Sequence, residues 1–387
     1  MKKLDSKRKK IVVISNFHEE DSVVSRSNMV YNYFKDREFN VKVLYSDFSH
    51  SLKKFRRFDN KDLICLSTNS YKSSLSLDRI KSHFIYSLKV LNHLIKSEYH
   101  TVYILIPPNW LLLSLFIKLL RKTTFIIDTI DLWPEAFPHN NNIFKKAVLS
   151  LVSIIPKISR KIAVRASDFL ITPNQYFFNQ LGLNCKKNSK IVYHKKFQAV
   201  APIINDISEE ISIAYLGNIG FIYDFNSLFK IMLGIQEKRS VILHVIGNGP
   251  NSKWFFEQLK INNLKFVDHG ASFDEKFKIN NLSKCWFGFN GYTSTEVSLS
   301  YKSIDYLSYG IPLLNSAKED TETLVLSEKI GFNFNENNLG NLIENLSFIS
   351  RDDVIKMKKN AFKTFQNKFS GESFYNEMDT INNELNL

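Results

Sequence analysis

The stretch Val297-Ser298-Leu299-Ser300-Tyr301-Lys302-Ser303-Ile304-Asp305-Tyr306-Leu307-Ser308-Tyr309-Gly310-Ile311-Pro312 places a cation, a carboxylate and several hydroxyls within the punctuation of one short helix. Ser298 or Ser300 can cap its first turn by accepting a backbone N–H, Gly310 can close it in a left-handed conformation, and Pro312 forbids its return. Lys302 and Asp305 then share one face of the helix. A lysine in the first turn opposes the positive end of the helix dipole by about 0.3 to 1 kcal/mol, unless an anion sits there too. The chemistry on offer is capture of a phosphate. The competing account is a surface lysine tolerated at small cost.

Two glycine-rich turns after apolar runs offer the same chemistry through backbone amides: Gly217-Asn218-Ile219-Gly220 and Gly247-Asn248-Gly249-Pro250. Without a Cβ the chain can bring its N–H groups close to an anion, although either turn alone also reads as an ordinary chain reversal. A different chemistry gathers around Asp128, Asp131 and Glu135, where a carboxylate could activate or position a hydroxyl. Asp131 is the preferred catalytic candidate. It reads equally as a helix cap, with Pro134 and Glu135 in the first turn. His18, in the loop after the first apolar run, is either an acceptor-side group or a surface residue, the commoner fate of a lone loop histidine.

Elements that could position these residues follow from periodicity. Short β-branched runs alternate with longer amphipathic ones, the pattern of parallel strands covered by helices in an α/β protein. Strands are expected at 11–15, 41–45, 63–67, 101–106, 124–128 and 169–172, and again at 212–216, 241–246, 264–268, 285–290 and 311–315. The weakly patterned segment from Ile203 to Glu210 reads as a linker. Two doubly wound domains are therefore expected, at 1–203 and 204–365. A terminal stretch, 366–387, would pack back on the first, and the helical pattern of the last 34 residues breaks around Ser370-Gly371. Ligands of such sheets gather at the carboxyl ends of the strands, which for two facing domains is the cleft between them.

A chain of 387 residues exceeds what one core usually serves, which agrees with two domains. Cys65, Cys185 and Cys285 have neither disulfide nor zinc-ligand spacing, so no metal site and a reducing cytoplasm are expected. The apolar run Ile11 to Ile14 is too short for a signal-peptide core. Charge is uneven: residues 1–205 hold 34 Lys and Arg against 15 Asp and Glu, the remainder 18 against 23. A basic half suits an anionic surface, lipid or nucleic acid, or is a Lys-rich bias on a solvated face. Phe144 to Arg165 sets Lys145, Lys146, Lys157, Arg160, Lys161 and Arg165 among Val, Leu and Ile, a composition that can lie on anionic lipid. Trp110 to Lys122 is too short to span a bilayer and reads as a buried helix over Trp110 to Leu120. The basic residues sit among aliphatics rather than aromatics, which ranks nucleic-acid binding last.

The segments 217–220, 247–250 and 302–312 occur in the order seen in family 4 glycosyltransferases, and Asp131-Leu132-Trp133-Pro134-Glu135 resembles the branch containing bacterial N-acetylfucosamine transferases for surface polysaccharides. The resemblance implies a GT-B fold of two Rossmann-like domains facing a central cleft. The second domain would hold a nucleotide-diphosphate sugar, UDP-linked, and the first a lipid-linked acceptor such as a polyprenyl diphosphate saccharide. It further implies metal-independent transfer with retention of configuration, in capsule, O-antigen or exopolysaccharide synthesis, at the cytoplasmic face of the membrane. Gly217, Asn218, Gly220, Gly247, Gly249, Ser300 and Asp305 would bind the donor, with Asp131, Lys302 and Glu296 as catalytic candidates. The family carries two glutamates with seven residues between them; Asp305 takes the second place, and Glu296 falls one residue out of register for the first. A sugar-nucleotide epimerase on the same plan is the alternative enzymatic reading.

Overall fold

An uninterrupted run such as Ile11-Val12-Val13-Ile14 has no polar face to offer water, so it belongs in a parallel sheet covered on both sides. A computed structural model of the chain describes residues 9–19, 25–73, 76–132, 154, 157–158, 160–181, 188–197, 202, 204–293 and 297–387. Its contacts divide into two units: Met1–Tyr193 with Tyr375–Leu387, and His194–Phe374. The first unit contains β1 (Lys10–Ser15), β2 (Asn40–Ser46), the short hairpin β3 (Phe48–Ser49) and β4 (Lys54–Phe55), β5 (Leu63–Leu66), β6 (Thr101–Ile106), β7 (Thr124–Thr129), β8 (Phe169–Thr172) and β9 (Ser189–Ile191). Seven of these form one sheet in the order β5-β2-β1-β6-β7-β8-β9. Neighbouring strands run parallel, with Val12 opposite both Lys42 and Val102. The strand order reverses between β1 and β6, which opens a crevice at their carboxyl ends.

The second unit repeats the plan with β10 (Ile211–Asn218), β11 (Val241–Asn248), β12 (Lys265–Asp268), β13 (Phe287–Asn290), β14 (Leu313–Asn315) and β15 (Gly331–Asn333), in the order β12-β11-β10-β13-β14-β15. Its switch point lies between β10 and β13. Ile213, Tyr215, Leu243, Val245, Phe287 and Phe289 bury one sheet face against Phe225, Leu228, Met232 and Phe255. The expected strands are all present, to within two residues at most ends. Missing from the expectation were β9, β15 and the β3–β4 hairpin, which at two or three residues are too short to show a period.

Three local readings need correction. The glycines of 217 and 247 lie within strands rather than in turns, because β10 and β11 stay paired through Gly217 opposite Gly247 and Asn218 opposite Asn248. Trp110 to Leu120 is not a buried helix: 3₁₀ turns at Asn109–Phe116 lead into Ile117–Leu120, and Phe116, Leu119 and Leu120 are 58%, 80% and 69% exposed. His18 is buried, its Nδ1 paired with the Ser27 hydroxyl at 2.9 Å and its ring against Tyr45 and Phe58. At the far end of the chain, helices Arg351–Lys368 and Gly371–Leu385 meet where the pattern breaks. Within the first unit, Asp379 accepts hydrogen bonds from Tyr33 at 2.7 Å and from Arg37 at 2.5 Å.

Candidate functional site

The switch point of the second sheet gathers most of the residues expected to hold an anion. Gly217, next to last in β10, has φ +112°, a conformation that disfavours any side chain. A Cβ on Gly247 would lie 2.0 Å from the Gly217 carbonyl oxygen, so only glycine lets these two strand ends stay this close. Gly249 backs onto Ile219 and Asn218, and Gly220 lies under the Asn218 amide. Tyr215 donates its phenol proton to the Asn218 carbonyl at 2.5 Å. Backbone from both strand ends thus converges on one rim.

Helix Tyr301–Ser308 faces that rim. Ser300 is its cap, accepting from Ser303 N–H, while Ser298 instead bonds Asp320 at 2.7 Å and ties down the start of helix Asp320–Glu328. Gly310 follows the helix with φ +66°, the left-handed stop expected of it. Tyr306 fixes the helix to the sheet: its hydroxyl accepts from Leu216 N–H at 2.9 Å and reaches the Ala214 carbonyl at 3.1 Å. Room for that ring exists because residue 288 has no side chain, a Cβ there falling 2.6 Å from the ring. Gly288→Ala is therefore expected to shift the helix and cost about 1 to 3 kcal/mol, measurable by urea unfolding.

This anchoring sets Lys302 beside the glycine rim, with its Cε 3.7 Å from where a Gly217 Cβ would stand. Its Nζ lies 3.6 Å from the ring centre of Tyr223, 4.1 Å from that of Tyr215 and 6.0 Å from that of Tyr292. This Nζ has no hydrogen-bond partner among the described residues, and the residue is only 9% exposed. Burial pushes its pKa well below the usual lysine value. Ring faces contribute about 2 kcal/mol to a desolvated cation, whereas removing an ion from water costs several. A charge at this position would therefore need an anion beside it.

Asp305, one turn further along the same helix, has a cation of its own. Its carboxylate accepts from Lys196 at 2.6 Å, and Lys196 also pairs with Glu275 at 2.6 Å and with the Tyr309 hydroxyl at 3.1 Å. Glu275 in turn pairs with Lys278. Lys196, Glu275, Tyr223 and Tyr292 went unnoticed in the sequence because they lie on four separate segments with no shared spacing. A weak signal was available for the tyrosines: Tyr223 and Tyr292 follow the two strands of the switch point, and they form a bridge with each other. Glu296, Trp133, Pro134 and Glu135 lie outside the described residues. Among those described, no group of three or more potential ligands could hold a metal ion.

In the first unit, Asp131 follows β7 and is exposed, with Arg79 as an electrostatic neighbour. Arg79 is largely buried against the rings of Tyr71 and Phe17, and Tyr71 shares a hydrogen bond with His50 Nδ1 at 2.8 Å. Asp128 is fully buried, and its Oδ2 accepts from Arg26 at 2.7 Å and from Tyr103 at 2.6 Å. Burial, reinforced by Arg56, lowers His18 to about 4, and burial with Arg79 lowers His83 to about 3. For a histidine depressed on folding, the unfolded chain binds the extra proton, so stability is full above about pH 6.5 and declines as pH falls toward the folded values. Urea unfolding between pH 7 and 4 should show this slope, and His83→Phe should flatten it.

No protein-family model and no curated protein sequence matches the chain. Solved structures do. HepE from Anabaena, crystallised with UDP, is 12% identical over 96% of this chain and 98% of its own, with a TM-score of 0.64. Sucrose-phosphate synthase from Thermosynechococcus elongatus is 13% identical over 98% and 99%, with a TM-score of 0.63. WaaG, a glycosyltransferase of lipopolysaccharide biosynthesis, is 11% identical over 96% and 98%, with a TM-score of 0.57. The chain therefore has the GT-B fold.

Proposed function

We propose that the protein is a glycosyltransferase that takes a sugar from a UDP-linked donor and passes it to a lipid-linked saccharide in surface polysaccharide synthesis. One observation carries this reading: a buried lysine without an anion, Lys302, beside the glycine rim at the switch point of the second sheet. HepE, of the same fold, was crystallised with UDP and with UDP-glucose, which supports a uridine diphosphate here. In this reading the amides around Gly217, Asn218, Gly220, Gly247 and Gly249 and the Ser300 end of the helix face the diphosphate. Lys302 offsets its charge as the sugar departs, in place of a metal ion. Asp305, pinned by Lys196, accepts from the ribose hydroxyls, and Glu296 contacts the donor sugar. Asp131 positions or activates the acceptor hydroxyl. Transfer with retention of configuration comes from the family 4 resemblance.

Membrane association is part of the proposal. No described helix is long and apolar enough to cross a bilayer. Instead Ile154, Ile158 and Ile162 are about half exposed at helical spacing, alternating with exposed Lys157, Lys161 and Arg165. Lys118, between exposed Phe116 and Leu119, reaches the Ala166 carbonyl at 3.1 Å, so a second apolar edge adjoins the first. Apolar side chains entering the headgroup layer and cations meeting anionic lipid add together. Ile158→Glu with Ile162→Glu should reduce pelleting with anionic vesicles about 10-fold, since each site then loses apolar contact and gains repulsion. Unchanged pelleting would remove this face from the membrane.

The function is tested by incubating the protein with a panel of nucleotide sugars and lipid extract, with products read by mass spectrometry. Sugar appearing on lipid supports the proposal. Isomerisation of a donor with no acceptor present would select the epimerase instead, and loss of no donor from the panel would overturn both.

A further inference from the structure

We infer that Lys302 of the unliganded protein is an uncharged amine, and that a diphosphate entering the site brings with it a proton from solvent, converting Lys302 to the ammonium that neutralises it. The inference rests on the donor-site reading above and adds how the cation arises.

The surroundings of the amine are neutral on every side the structure describes. From β10 comes Tyr215, whose hydroxyl is already committed to the Asn218 carbonyl. The segment after β10 supplies Tyr223, and the segment after β13 supplies Tyr292. On its own helix, Asp305 is held by Lys196, and Tyr306 is bonded to the β10 backbone. Burial raises the pKa values of Tyr215, Tyr223 and Tyr292, so all three phenols keep their protons and none becomes a counter-ion. The capped helix start at Ser300 adds a positive dipole end beside the amine. A charged ammonium here would have burial and the dipole against it, and only ring faces for it.

The same features reverse once a diphosphate is present. Its oxygens supply the missing acceptors and negative charge, so the bound lysine returns toward its ordinary range. The balance is one proton taken from solvent onto Nζ for each diphosphate bound, and one released when UDP leaves. No covalent bond other than N–H is made or broken by this residue. Above the lowered pKa of the free site, UDP affinity should fall about tenfold for each unit of pH, because one proton is linked to binding.

Isothermal titration of wild-type protein with UDP at pH 9, in two buffers of different ionisation enthalpy, reads the proton directly. At that pH the terminal phosphate of UDP is fully ionised, since its own titration lies near pH 6. About one proton taken up per UDP is the expected result. Lys302→Arg provides the control, because a guanidinium stays charged throughout: it should bind UDP with no linked proton and a flat pH profile. Binding by wild type with equal heats in both buffers, at every pH from 7 to 10, overturns this inference and leaves the donor site standing. No binding of UDP by wild type at any pH overturns the donor-site reading, and this inference with it.

Discussion

Lys302→Met is expected to lower turnover about 10²-fold, the scale for one electrostatic contact to a departing charge, while making the protein without donor more stable. The two effects have one cause. A buried amine with no partner carries a desolvation penalty of about 1 to 3 kcal/mol, and methionine fills the same space without it. The gain should appear as a higher melting temperature measured without nucleotide, and UDP should then stabilise the wild type but not the variant. A strained or unsatisfied group of this kind persists where function needs it. A variant that is less stable yet fully active would show that Lys302 serves packing alone.

The second large effect concerns the first unit, where Arg26 joins helix Arg26–Asp36 to β7 through Asp128, with side-chain exposures of 8% and 1%. Arg26→Met alone leaves a carboxylate buried with only the Tyr103 hydroxyl to answer it, at an expected cost of about 3 to 5 kcal/mol. Replacing both partners, Arg26→Met with Asp128→Leu, removes the charge as well as its counter-ion and should recover most of that loss. Urea denaturation of the three proteins decides the matter. Equal stability of the single and double variants would mean that the pair is not the unit of stabilisation.

Both predictions turn on residues that the sequence presents very differently. Lys302 stands out by its place in a helix's first turn, four residues after one capping serine and two after the other, where a cation is disfavoured by a dipole that acts over a single turn. Arg26 carries no such mark. Its partner is 102 residues away and its role depends on two strands and a helix being assembled. The same contrast holds within Asp305: its position in the 302–312 segment suggested a ligand contact, while nothing in the sequence marked its ion pair with Lys196, 109 residues away. His18 followed suit, judged by its loop and then found beneath the rings of Tyr45 and Phe58.

The features legible along the chain are local: apolar runs long enough to be buried strands, glycines where backbone must pass close to backbone, and the cap and stop of the helix from Ser300 to Gly310. These are set within a few residues by sterics and hydrogen bonding, so they survive whatever surrounds them. Long-range packing is what lets Gly288 make room for Tyr306, sets Tyr306 to hold the helix against β10, and brings Lys302 to rest among three tyrosines without an anion. The protonation of an amine depends on which groups are within a few ångströms of it. That neighbourhood is drawn from segments far apart in the chain, and packing alone brings them together.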